Sequence, residues 1–239
     1  MDHYYGNLAY AEVEETPQSS EVSTNNVVDF LPSKPIYKVV KRTVDVVLSF
    51  LGLVALAPVF VVLALLVKAE DGGPAFYSSQ RVGCNGKTIG VLKFRSMKLN
   101  ADRLEDMLTP EELEQYRKEY KLDHDPRITK IGNFLRKSSL DELPQLVNVL
   151  KGDMSLVGPR PLVKEEVESK YSPAQRRQLL SVRPGLTGLW QVNGRSDCTY
   201  ESGERQKLEL SYVKGFSCKM DLGILLRTVG VVLHKVGAR

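Results

Sequence analysis

The sequence predicts an α+β, monotopic membrane protein with an N-terminal re-entrant helix, further helices at the lipid interface and a small cytoplasmic domain containing a β-hairpin. Three observations carry that prediction. Val46 to Val67 is an uncharged run of 22 residues with Pro58 inside it. Two strand-like segments flank the dipeptide Asn85-Gly86. The remainder divides into helices with readable start signals. At 239 residues the chain can bury a core without disulfide or metal staples.

Residues 1–34 hold six acidic side chains against Lys34 alone. They are rich in Ser, Thr, Asn and Glu with no sustained apolar period, the composition of a disordered acidic tail. A signal peptide would need a basic start followed at once by an apolar run, and here the run begins only at Val46. Residues 35–70 form the membrane helix. Its apolar run would be about 33 Å long as a straight helix at roughly 1.5 Å per residue, enough to cross a bilayer. Pro58 removes a backbone hydrogen bond in mid-run and directs its ring at the carbonyl of Val54, so a kink or break is expected between Ala57 and Val59. Lys38, Lys41 and Arg42 precede the run and Lys68 follows it. The positive-inside rule therefore has no side to prefer, which fits a helix that enters and leaves on the cytoplasmic face. A proline-kinked crossing is the alternative.

Residues 71–239 form the cytoplasmic domain, with helices at the membrane interface. Ala75 to Met97 reads as a hairpin turning at Asn85-Gly86, a pair that tolerates positive φ. Thr109-Pro110-Glu111-Glu112 opens a charged helix through a capping box, and Ser172-Pro173-Ala174-Gln175 starts another. Between them Ser139-Leu140-Asp141-Glu142 reads as a helix start, with Leu143, Leu146, Val147 and Leu150 on one face and Gly152 as the stop. Asp221 to Val236 is aliphatic with few charges, suiting either a core helix or one in the lipid interface.

The tail carries five net negative charges, so with +4 overall the body carries +9. Such a body suits a polyanionic partner: a phosphorylated substrate, an anionic membrane or a nucleic acid. No aromatic stacking motif or helix-turn-helix pattern supports nucleic acid. Cys84, Cys198 and Cys218 lack disulfide or zinc-site spacing. With three histidines in the chain, a metal would be a hard cation held by carboxylates and substrate phosphates. Neither GxxxxGK[ST] nor a strand-linked GxGxxG is present, and no hydrolase triad is suggested.

The densest chemical signal is Arg136-Lys137-Ser138-Ser139-Leu140-Asp141-Glu142. Carboxylates in a first helical turn are held ionised by the helix dipole, and an ionised Asp141 could attack phosphorus or hold magnesium. Ordinary capping by Ser139 and Glu142 accounts for the same residues. Arg127, Lys130, Arg160 between Pro159 and Pro161, and Arg183 before Pro184-Gly185 add cations on stiff turns suited to phosphate.

Lys93-Phe94-Arg95-Ser96-Met97, Asp125-Pro126-Arg127-Ile128-Thr129, Leu140-Asp141-Glu142-Leu143-Pro144-Gln145-Leu146, residues 151–161 (KGDMSLVGPRP) and residues 183–195 (RPGLTGLWQVNGR) together resemble the bacterial sugar transferase family. These are monotopic polyprenyl-phosphate hexose-1-phosphate transferases, and the chain looks most like the ExoY type that primes exopolysaccharide synthesis. The resemblance runs from about Lys38 to the C-terminus and leaves only the acidic tail outside. It implies that Asp141 attacks the β-phosphate of a UDP-sugar, UDP-glucose or UDP-galactose, releasing UMP. The phosphosugar then passes to undecaprenyl phosphate. Glu142 would complete the dyad as base or as magnesium helper, with Mg²⁺ as cofactor at Asp141. Lys93, Arg136, Arg160, Arg183 and Arg195 are the implied phosphate and substrate contacts. Glu209 joins them, standing where relatives often carry Asp. Some members break their membrane helix at a Ser-Pro pair; here the pair is Ala57-Pro58. The implied location is the bacterial inner membrane, with membrane lipids as partners, no nucleic acid, and homo-oligomerisation left open. A membrane-anchored scaffold without activity is the competing reading, and it leaves Asp141, Glu142 and the arginine-bearing turns without a purpose.

Overall fold

The computed structural model describes residues 34–119, 122, 124–193 and 198–233; the acidic tail lies outside them. Helix α1 (Pro35–Asp71) starts with proline at its first position, where the absent N–H costs nothing. It ends at Gly72 in the left-handed conformation, whose N–H reaches the Lys68 carbonyl. At 37 residues it is about 55 Å long. Pro58 lies inside it without interrupting it, so the predicted break is not a gap in the helix. The reason lies in packing: Asp45, Ser49, Gly52, Leu56, Phe60, Leu63 and Val67 form one stripe at helical spacing that faces the body along the whole length. The opposite face exposes residues such as Phe50, Val54, Val61 and Leu65.

The body anchors both ends of α1. At the N-terminal end Arg42 donates to the carbonyls of Val149 and Leu150 at 2.7 and 2.8 Å, and buried Asp45 accepts from Ser155 Oγ and Leu156 N–H. At the C-terminal end Asp71 pairs with Arg95, and the Glu70 carboxylate accepts from Lys130 N–H.

The predicted hairpin is present as β1 (Phe76–Val82) and β2 (Thr88–Phe94), antiparallel with Val82 opposite Thr88 and Phe76 opposite Phe94. Asn85 and Gly86 take φ of 56° and 77°, as the turn requires. Two short helices follow, α2 (Leu104–Met107) and α3 (Pro110–Glu119). The second is closed by the expected capping box of Thr109 and Glu112. Helix α4 (Lys130–Ser138), capped by Thr129, precedes α5 (Gln145–Lys151), which stops at Gly152 as predicted. The buried face of α5 is Gln145, Leu146, Asn148 and Val149 rather than the predicted leucine-valine face. Asn148 is pulled inward because its amide bridges Leu92 N–H and Gly90 O on β2.

Strand β3 (Ser155–Val157) leads to α6 (Lys164–Lys170), α7 (Pro173–Leu179) and β4 (Gly185–Thr187). Then come α8 (Leu189–Asn193), α9 (Glu204–Gly215) and α10 (Cys218–Leu233). Strands β3 and β4 pair in parallel, Ser155 opposite Gly185 and Val157 opposite Thr187. Glycine is obligatory there: a Cβ on Gly185 would stand 2.1 Å from the Gly158 nitrogen. Two apolar clusters complete the core. One joins α1 to the hairpin and α4 through Leu63, Val67, Phe94 and Leu135. The other joins α6, α7 and α9 through Val167, Leu179 and Leu210.

Candidate active site

Asp141 does not sit in the first turn of α5. Ser139 takes φ of 57° and ends α4, making no side-chain cap, and Asp141 lies in the single 3₁₀ turn Leu140–Glu142 between the two helices. The predicted capping box at Ser139 is therefore absent.

Charged side chains from several elements surround Asp141. Asp141 is 7% exposed, and burial raises its carboxyl above the usual range. Lys93 on β2, Arg136 on the last turn of α4 and Arg160 after β3 pull it back down, while Glu142 pushes it up. Lys93 Nζ lies 2.8 Å from Glu142 Oε1. Arg136 has a buried Nη1 with no hydrogen-bond partner among the described residues.

Arg160 is carried on the turn that Pro159 and Pro161 stiffen, with its guanidinium 5.6 Å from the Trp190 ring centroid. That turn is pinned from two sides: Gly185 N–H donates to Pro159 O at 2.7 Å, and Arg160 N–H donates to the carboxylate of Glu209 at 3.1 Å. Glu209 thus meets the site through the Arg160 backbone. It is 1% exposed, and burial pushes its carboxyl up to about 7 against the opposing effect of Arg205. Arg205 itself lies over Trp190 and Tyr200 and pairs with Glu166 at 3.0 Å.

The structure brings Lys93, Arg136, Asp141, Glu142 and Arg160 together, with Glu209 one shell behind. Arg183 stays apart: it is exposed, and the group its charge acts on is Cys84 at the hairpin turn. Its backbone carbonyl is what approaches Gly158. Arg195 lies outside the described residues. Arg127 is committed elsewhere, pairing with Asp125 at 2.6 Å and lying over Tyr116. Sequence reasoning misses Arg81, Gln145 and Gln191, which line a recess with Lys93, Glu142 and Arg160. The hairpin register is the signal that could have found Arg81, since it places that residue on the face carrying Val91 and Lys93.

A buried carboxylate met by cations from three elements, beside a helix apolar and long enough for a membrane, is an arrangement suited to a phosphorylated ligand. The chain belongs to the bacterial sugar transferase family, whose sequence profile matches residues 36–235. It is 46% identical over 208 residues to the exopolysaccharide production protein ExoY of Sinorhizobium fredii, covering 86% of this chain and 90% of that protein. It is also 46% identical over 201 residues to an undecaprenyl-phosphate galactose phosphotransferase of Salmonella typhimurium, covering 83% of this chain. To a UDP-glucose:undecaprenyl-phosphate glucose-1-phosphate transferase of Escherichia coli it is 38% identical over 209 residues, again covering 83% of this chain. The chain spans about two fifths of the length of these last two relatives (41% of each).

Proposed function

We propose that the protein transfers hexose-1-phosphate from a UDP-sugar, UDP-glucose or UDP-galactose, to undecaprenyl phosphate, releasing UMP, as the priming step of exopolysaccharide synthesis. The observation that carries this reading is the buried Asp141 with Lys93, Arg136 and Arg160 converging on it. A carboxylate can approach a diphosphate only where the diphosphate's charge is neutralised, and these side chains supply that neutralisation. A carboxylate oxygen of Asp141 attacks the β-phosphorus. The bond from that phosphorus to the bridging oxygen breaks, and its electron pair leaves with UMP. An oxygen of the lipid phosphate then attacks the same phosphorus, and the Asp141 carboxylate is regenerated.

Among the described residues no group of three carboxylate, His or Cys ligands occurs. Mg²⁺ takes one or two carboxylates and completes its shell with phosphate oxygens and water. Asp141 and Glu142 would hold it, and it would supply further charge neutralisation at the diphosphate.

We place the protein at the bacterial inner membrane, with α1 re-entrant and the active site facing the cytoplasm, a reading that the contacts of α1 support. Both ends carry polar contacts to one body, through Arg42 and Asp45 at one end and Glu70 and Asp71 at the other. A helix that crossed the bilayer would put its two ends on opposite sides.

The test is to incubate enzyme with Mg²⁺ and UDP-hexose in the absence of lipid. It should release about one UMP per site and gain the mass of a hexose phosphate on the peptide containing Asp141, and undecaprenyl phosphate should discharge the adduct. Asp141→Asn should abolish both signals, lowering turnover at least about a thousandfold. UMP release only with both substrates present, and no mass gain, would overturn the covalent route.

A further inference from the structure

We propose that Arg81, which none of the implied site residues includes, binds the phosphoryl group that leaves in this reaction, the one retained in UMP. This rests on the reading of the donor as a UDP-sugar. The hairpin register puts Tyr77 opposite Lys93, Ser79 opposite Val91 and Arg81 opposite Ile89. Directly opposed residues of an antiparallel pair share a face, so Arg81 and Lys93 project from the same side of the hairpin. They stand four residues apart along the strands, about 13 Å at roughly 3.3 Å per residue. Both line one recess with Val91 between them, and Arg160, Gln145 and Gln191 complete its wall.

The two ends of this recess differ in how their charge is balanced. Lys93 is matched by Glu142 at 2.8 Å and stands beside the nucleophile, where the attacked phosphorus must lie. Arg81 has no carboxylate within 4 Å among the described residues. Its strongest charged neighbour is the like charge of Arg160, and burial together with that charge holds its guanidinium below its ordinary value. A half-buried guanidinium beside a second one, attracted only by Glu166, which is itself paired with Arg205, is costly until an anion arrives. Because Arg81 lines the same recess as Lys93, Glu142 and Arg160, an anion bound at Arg81 can be the second phosphate of a diphosphate whose first phosphate meets Asp141. Negative charge accumulates on that second phosphate as the bridging bond breaks, so a cation there favours departure as well as binding.

The experiment uses the full chain in detergent micelles, comparing unaltered protein with Arg81→Gln and Arg81→Lys. UMP is the binding probe. Arg81→Gln should weaken UMP binding by about tenfold or more and slow the lipid-independent release of UMP from UDP-hexose, with Arg81→Lys restoring part of the loss. The kcat/KM for undecaprenyl phosphate should change by less than about twofold, because that substrate arrives after UMP has gone. Melting temperature without ligand should hold or rise, since the repulsion with Arg160 is relieved. UMP binding within about twofold of the unaltered protein would overturn the proposal. So would a lowered melting temperature that alone accounts for lost activity, or a change confined to the undecaprenyl phosphate kcat/KM, which would assign the charge to the acceptor. If the unaltered chain neither bound UMP nor released it, the functional reading itself would fall.

Discussion

Asp141 is held between opposing demands: burial raises its carboxyl, while Lys93 and the guanidiniums of Arg136 and Arg160 favour the anion a nucleophile needs. The order of these cations in the chain is legible in the sequence, but the source of their effect is not. Adjacent Ser, Asp and Glu read as a helix start because local capping chemistry looks like that. A left-handed Ser139 instead ends one helix and sets the carboxylates on a separate turn. Glu209 shows what burial does without a paired cation at hydrogen-bond distance. Arg205, Arg160 and Glu166 are the charges that face it, and its carboxyl rises from 4.5 to about 7. The folded chain therefore keeps a proton that the unfolded chain gives up above about pH 4.5, so this group's stabilising contribution is complete below that pH and is lost as pH rises through about 7. At about 1.4 kcal/mol per unit it amounts to about 3 kcal/mol at most. Melting temperature should fall between pH 5 and 7.5, and Glu209→Gln, which needs no proton to be neutral, should flatten that fall. An unchanged slope in the variant would show that other groups set the dependence.

Elements declare themselves in sequence in proportion to how local their determinants are. The hairpin turn, the Thr109-Glu112 box and the Ser172-Gln175 box depend on residues within three or four positions, and all three stand as read. Strands β3 and β4 are three residues each, too short for a period, and they exist because glycines let two backbones touch. Helices α6 and α9 carry buried charge (Glu166, Arg205, Glu209) on the faces that a periodicity argument expects to be apolar. For α1 the sequence supplies length and composition; its stripe and its attachment at both ends are tertiary facts. They lead to a topological expectation. Single cysteines at Ile36 and Ala69, both exposed positions near the two ends, in a background without Cys84, Cys198 and Cys218, should both resist a membrane-impermeant thiol reagent on intact spheroplasts. Labelling of one and protection of the other would make α1 a crossing.

At the scale of the molecule, the α+β class and the membrane-type helix are readable in the sequence, while the exposed apolar surface of the body is not. Helix α10 buries Asp221 and Ile224 and turns Leu222, Leu226 and Val229 outward, Leu226 being 66% exposed. That one-sided stripe resolves the choice between a core helix and a surface one in favour of the surface, and exposed apolar rows of this kind mark a contact with lipid or protein. Leu226→Asp should lower partition onto vesicles of bacterial lipid by about three- to tenfold, while circular dichroism and UMP release in detergent stay unchanged. Equal partition of the two proteins would remove α10 from the lipid contact. A different consequence follows from Asp45, 2% exposed at the mouth of the apolar run and satisfied by Ser155 and Leu156 of β3. On an isolated α1 that carboxylate would face hydrocarbon or headgroups unpaired, and an acidic residue costs up to about 3 kcal/mol on insertion scales, less toward a helix end. The cost disappears once β3 is present to receive it. The seating of α1 and the closing of the body around Asp45 are therefore energetically coupled, and α1 is less well satisfied without β3 than with it.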